Sequence, residues 1–172
     1  SVSSSLLVVS TAETSNEFDH ALLSTDTDYL TVGTSLAVTV TGVSASGNTA
    51  EVPEDAVLRI SDESVAALAN GVITAVAKGD VTVELVVGDA VVGSKTLHVV
   101  VPNGLAFEND TMNAIYGVEV TLPLTATYNG NPVSINADDV NFTFNSDAGT
   151  MNGFAFIGNE ESGVRNVTIT AA

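Results

Sequence analysis

Apolar and polar residues alternate with a period of two along most of this chain, the pattern of strands that bury one face and expose the other. In residues 36–41, Leu36, Val38 and Val40 face one way and Thr39 and Thr41 the other. Val81, Val83, Leu85 and Val87 oppose Thr82, Glu84 and Val86, and Leu97, Val99 and Val101 oppose Thr96, His98 and Val100. The run 118–127 sets Val118, Val120, Leu122, Leu124 and Ala126 against Glu119, Thr121, Pro123, Thr125 and Thr127. Val140, Phe142 and Phe144 continue the pattern, and residues 167–172 read as a last strand. Each run predicts one half-buried strand of an antiparallel sheet. The one segment with the composition to make a helical turn is 62–69.

Glycine and asparagine punctuate these runs. Asn70-Gly71 and Asn129-Gly130 are hairpin turns, because both residue types tolerate positive φ. Many short strands with frequent turns describe a sandwich. At Val101-Pro102-Asn103-Gly104 a strand ends, proline stops the ladder and the chain turns, so a domain joint is expected there. An internal repeat agrees: Asn70-Gly71-Val72-Ile73 leads to Gly79 and a strand, and Asn152-Gly153-Phe154-Ala155-Phe156 leads to Gly163 and a strand. After Val87 the first half adds a partner strand over 95–101, and the second half ends without one. The expected fold is therefore all-β. It comprises two tandem immunoglobulin-like antiparallel β-sandwich domains, 1–101 and 102–172, the second lacking its final strand. Residues 1–24 read either as an added strand or as a preceding linker. With no Met at its start, the chain reads as a piece of a longer polypeptide.

Ser64-Val65-Ala66, then Gly71-Val72-Ile73-Thr74-Ala75, then Gly79-Asp80-Val81-Thr82-Val83 resemble the bacterial immunoglobulin-like domains of group 2. Residues 29–36 resemble that family's opening segment, so the resemblance covers most of 25–101. The second half is more loosely similar to sandwich repeats attached to bacterial S-layer proteins and surface hydrolases, through Gly117, Val120, Leu122, Phe142, Gly153 and the segment Thr168-Ile169-Thr170-Ala171. The resemblance implies a surface protein carrying such modules in series, and it brings no catalytic residues.

Charge narrows the partners. Twenty-one acidic residues face four basic ones, a formal net charge of -17. Such a chain is repelled by phosphate backbones and anionic lipid, so nucleic acid is not an expected partner, and no apolar run reaches the ~20 residues of a membrane helix. With 45% hydrophobic residues the chain still has the apolar surface to fold. It has no cysteine, hence no disulfide and no thiolate chemistry, which suits a bacterial exterior better than a small disulfide-stapled secreted domain.

The only side-chain bases near neutrality are His20, beside Asp19 in a polar stretch, and His98, on the outward row of a strand. Both read as solvated surface residues rather than members of a Ser-His-Asp group, and the chain is not expected to be an enzyme. Calcium is the sharper expectation, because Ca²⁺ takes six to eight oxygens of the kind that acidic loops supply. The candidate ligands are Asp26 and Asp28 (with Asp19 near), Glu108 and Asp110, and Asp138 next to Asp139. Phe142, Phe144, Phe154 and Phe156 read as core; Phe107 and Tyr116 are candidates for exposure. Together these features suggest a structural module of the bacterial cell surface or cell wall, such as a self-assembling S-layer, whose partners are neighbouring domains or copies of itself. An adhesin stalk or tip that binds a host or matrix ligand, and accessory domains of a surface glycosidase, stay open as alternatives.

Overall fold

The computed structural model describes residues 16–163 and 166–172, and its regular structure is almost entirely β. Residues 1–15, which include the start of the unassigned segment 1–24, and residues 164–165 lie outside the described residues.

The first half holds β1 (Phe18–Ser24), β2 (Tyr29–Leu30), β3 (Ser35–Ala37), β4 (Thr39–Ser44), β5 (Thr49–Ala50), β6 (Val57–Ile60), β7 (Ala66–Ala69), β8 (Val72–Ala75), β9 (Gly79–Val87) and β10 (Ala90–Val99). They form three sheets, in the orders β1-β4-β5, β3-β8-β7 and β2-β10-β9-β6. β1 packs across β10, so the later part of residues 1–24 belongs to this sandwich as an added strand. The core between the sheets is made by Leu23, Leu30, Ile73, Val81, Val83, Leu85, Leu97 and Val99, with Leu36, Val38, Val40 and Ile60 packed against it. Burial of each large side chain here contributes about 1.5–3 kcal/mol against chain entropy.

The second half holds β11 (Gly104–Phe107), β12 (Glu119–Thr121), β13 (Leu124–Tyr128), β14 (Asn131–Val133), β15 (Phe142–Thr143), β16 (Gly149–Asn152), β17 (Ala155–Gly158) and β18 (Thr170–Ala171). Its sheets are β11-β13-β14, β12-β17-β16 and β15-β18. The repeat is visible in the register. Leu36 pairs with Ile73, and Val120 with Phe156. Leu23 pairs with Val40, and Phe107 with Leu124. Gly33 donates its N–H to the Ala75 carbonyl, and Gly117 donates to Gly158, both at 2.9 Å. The hairpin motifs correspond with a slip of one residue. Asn70 and Gly71 both have positive φ (50° and 75°), whereas only Gly153 does in the other hairpin (59°), and Asn70 therefore matches Gly153. Asn129 and Gly130 (49° and 82°) make the expected turn between β13 and β14.

Several predicted strands divide where the sandwich needs a corner. Residues 36–41 keep their apolar face inward throughout but belong to two sheets, the change falling at Val38, whose N–H bonds to the Gly71 carbonyl at 2.9 Å. Residues 118–127 divide likewise into β12 and β13 around the buried Leu122. Alternation reports which face is buried, not which sheet a residue pairs in, so one run reads as one strand. Phase changes at two strand ends. Val86 is buried instead of Val87, beside a register shift near Val91. Val100 is buried, and Val101 is 60% exposed.

Of residues 62–69 only the start makes a helical turn: the Val65 and Ala66 N–H groups both bond to the Asp62 carbonyl at 3.2 Å, and the Asp62 carboxylate accepts the Ser64 N–H at 2.9 Å. From Ala66 to Ala69 the chain is β7. Short 3₁₀ turns at Ala137–Asp139, Ser146–Ala148 and Glu160–Ser162 take up chain that alternation assigns to strand or loop. The strand expected over 167–172 is limited to Thr170–Ala171, and that around Phe142 to two residues. Phe107 and Tyr116 are half-buried rather than exposed.

Candidate functional site

The two repeats meet at the joint that the sequence marks by Val101-Pro102-Asn103-Gly104. β10 ends at Val99, and the Val100 N–H bonds to the Leu30 carbonyl at 2.7 Å. That bond turns Val100 out of the first core and into a second cluster with Ala126 and Val133, against which Tyr29, Leu105, Tyr128 and Ile135 pack. The Tyr29 and Tyr128 rings stand 5.6 Å apart across the joint. The Thr31 hydroxyl donates to the Ser134 carbonyl, and Asn136 Nδ2 reaches the Val32 carbonyl at 3.5 Å. Beside Pro102, Asn103 Nδ2 donates to Asn129 Oδ1 at 2.8 Å, and the Asn129 N–H returns a bond to Asn103 Oδ1 at 2.9 Å. The sequence signal that could have found the joint's contacts is the apolar triplet 99–101. Three consecutive valines cannot all share one face of a strand, so one of them had to serve a second core.

A cleft of about 490 Å³ opens at this joint, lined by Val32, Val100, Leu105, Ile135, Val140 and Ala171 among others. Among the described residues, Asp139 is the one acidic side chain that lines it. A shallower hollow of about 600 Å³ lies on the first sandwich between Val40, Val52, Leu58 and Leu85.

The candidate calcium ligands are dispersed. Asp26 is exposed in the bend between β1 and β2. Asp28 lies two residues on, its Oδ1 2.6 Å from Lys95 Nζ on β10. Glu108 and Asp110 follow β11 on an exposed stretch, and Asp138 and Asp139 sit on a 3₁₀ turn. Among the described residues, no three His, Cys, Asp or Glu side chains come together as a metal-binding group.

The histidines are each held by one aspartate. His98 Nδ1 is 2.7 Å from Asp80 Oδ1, with the Tyr29 ring 5.5 Å from its own. His20 Nδ1 is 2.8 Å from Asp19 Oδ2, and both side chains are about half exposed. One carboxyl has a displaced pKa. The Ser64 hydroxyl, at 2.6 Å, and then the Ser64 N–H hold Asp62 below the usual aspartate value by bonding to its charged form. The phenylalanines pair edge to face, Phe142 with Phe154 at 6.1 Å and Phe144 with Phe156 at 5.5 Å. Phe156 is buried and the other three are half-buried. Among the described residues no helix is long and apolar enough to cross a membrane.

These features define an all-β protein of two immunoglobulin-like repeats joined through a packed contact. No protein-family model and no curated protein matches the chain, and membership of group 2 is not shown. Among solved structures, the chain is similar to domains 5-6 of the S-layer protein SbsC at 17% identity and a TM-score of 0.41, over 86% of this chain and 88% of that one. It is also similar to a structure of SbsC domains 4-9 at 17% identity and a TM-score of 0.37, over 91% of this chain and 29% of that longer one.

Proposed function

We propose that this chain is a structural module of a bacterial cell-surface layer, divided into units 1–101 and 102–172, that acts through stacking of its domains and copies and carries out no chemical step. The observation that carries this reading is the joint. Two three-stranded sheets of the first repeat recur in the second, and the two repeats are fastened within a few residues by Val100, the Thr31–Ser134 bond and the tyrosine contact, so a load applied to one unit passes into the next. A short apolar joint of this kind suits a brick in an array better than a flexible linker does. Its location outside the cell follows from the same reading.

Calcium enters the proposal as a bridge between copies. A net charge of -17 makes copies repel, and the dispersed carboxylate pairs leave a cation's shell to be completed from a second molecule. The test is sedimentation velocity with negative-stain microscopy of the full chain, in EDTA and then in millimolar Ca²⁺, with Mg²⁺ as control. Sheets or strings that form with Ca²⁺ and dissolve with EDTA are the expected result. A monomer under every condition would sink the reading.

A further inference from the structure

We propose that Asn70 is a site of self-modification: in the folded chain the Gly71 nitrogen attacks its side-chain amide, ammonia is lost, and aspartate or isoaspartate is left in the turn between β7 and β8.

The reaction needs an asparagine followed by a residue that does not crowd the attacking nitrogen, and glycine crowds it least. Four asparagines precede a glycine: Asn70, Asn103, Asn129 and Asn152. The fold treats them differently. Asn103 and Asn129 hold each other at the joint, Asn103 Nδ2 donating to Asn129 Oδ1 at 2.8 Å and Asn103 Oδ1 accepting the Asn129 N–H at 2.9 Å. The Asn103 N–H bonds to the Thr127 carbonyl at 3.0 Å, and Gly104 pairs with Thr127 in β11. Asn152 pairs with Ala155 at the end of β16, so turning its peptide breaks the ladder. Asn70 is exposed and lies outside both strands of its hairpin. Its side chain has no hydrogen-bond partner among the described residues.

Turn geometry supplies the approach. Asn70 and Gly71 have φ of 50° and 75°, the signature of a type I′ turn, in which ψ of the first residue is roughly +30°. In that turn the Gly71 nitrogen points away from the Asn70 side chain. Flipping the peptide between the two residues gives a type II′ turn, with ψ of Asn70 at roughly −120°. Cβ and the Gly71 nitrogen are then eclipsed about the Cα–C bond, and the nitrogen faces Cγ. The flip carries Gly71 to negative φ, which glycine accepts, and leaves the Ala69–Val72 pair in place. It also leaves the Gly71 carbonyl, which accepts the Val38 N–H at 2.9 Å. At Asn129 the same flip achieves nothing until the amide lets go of Asn103.

The step needs only the chain and water. The Gly71 nitrogen gives its proton to hydroxide and bonds to Asn70 Cγ; the Cγ–Nδ2 bond breaks, and ammonia leaves with a proton returned by water. Water then adds to one of the two carbonyls of the five-membered succinimide and breaks its bond to nitrogen. Opening at Cγ gives aspartate, and opening at the backbone carbonyl gives isoaspartate; nothing is oxidised or reduced. Either product adds one negative charge. Isoaspartate also adds a methylene to the main chain of a two-residue turn, which draws the Gly71 carbonyl off Val38 at the corner where the chain passes from β3 to β4. Asn70 and Gly71 line the hollow on the first sandwich, so its rim changes with them.

The full chain is incubated at mildly alkaline pH, well below its melting temperature. Conversion at each of the four asparagines is followed by peptide mapping with mass spectrometry that separates aspartate from isoaspartate. Asn70 is expected to convert at least ~10-fold faster than Asn103, Asn129 or Asn152, a factor that corresponds to about 1.4 kcal/mol of restraint on the slower sites. Asn103→Ala releases Asn129 and is expected to raise its rate towards that of Asn70. Aged protein rich in isoaspartate is expected to melt lower than fresh protein, whereas Asn70→Asp, which keeps the main chain, melts with the parent. Conversion at Asn129 or Asn152 as fast as at Asn70 in the parent overturns the proposal, and so does conversion of Asn70 only in urea. The ranking within the parent decides the matter whether or not Asn103→Ala folds.

Discussion

Leu97→Ala separates the two repeats energetically. Leu97 is 0% exposed and lies opposite Val81, itself 1% exposed, in the middle of the first core. Removing a fully buried leucine side chain costs about 2–5 kcal/mol, the spread reflecting how far the site can collapse. The rigid β9–β10 ladder on one side and β1 on the other limit that collapse, so a value of about 3 kcal/mol or more is expected. For a unit of 60–100 residues each kcal/mol moves Tm by roughly 4–8 °C, which places the first transition about 12–24 °C lower. The buried residues of the second unit away from the joint, Leu122, Val140, Ala155 and Phe156, are not in the cluster that holds Leu97, so its transition moves by less than ~2 °C. Differential scanning calorimetry reads both transitions in one scan, with Val101→Ala, at a 60% exposed position, as the near-neutral control. A single endotherm that shifts as a whole would refute two separately cooperative units. A fall of less than ~4 °C would refute the assignment of β10 as a core strand.

Gly93→Ala places a Cβ 2.5 Å from the Ala21 carbonyl oxygen of β1, which is backbone and cannot swing aside; urea titration is expected to show a loss of about 1–3 kcal/mol. Lys95→Ala removes the partly exposed pair with Asp28 and is expected to cost less than ~1 kcal/mol, the difference from the parent shrinking as salt rises from about 0.05 to about 0.5 M. The Asp62 pKa is depressed in the fold, so its contribution is present above the usual aspartate range and lost as pH falls through the folded value. Asp62→Ala is therefore less stable than the parent at neutral pH, and the two converge in acid; curves that stay parallel down to pH 2 would remove the Ser64 bonds as the cause.

How much of this was legible in the sequence depended on which physical constraint each feature obeys. Alternation follows from burial, so the inward rows at Val81, Val83, Leu85, Leu97 and Val99 could be read directly. Positive φ at Asn70, Gly71, Asn129 and Gly130 follows from residue type, so those turns could be read too. Sheet membership follows from long-range pairing. Nothing local tells Leu36 that it will pair with Ile73 while Val40, four residues later, pairs with Leu23. The place of the joint could be read from Pro102-Asn103-Gly104, but its contacts could not, because Thr31 and Ser134 are ordinary residues until the chain brings them together. Side-chain partners of the acidic loops are equally long-range: Asp28 extends to Lys95, and among the described residues no three carboxylates come together.

The same distinction explains why the second repeat was harder to read than the first. A strand with partners on both sides is long and has a complete apolar row, as β9 has with β6 and β10, and such a row is visible in sequence. Among the described residues β18 has one partner, and the regular strand is two residues long although alternation continues through Val167, Ile169 and Ala171. Backbone hydrogen–deuterium exchange tests the contrast. The amides of β9, paired on both sides, are expected to exchange at least ~10-fold more slowly than those of β18. Equal protection of the two strands would refute the link between two-sided pairing and a readable apolar row.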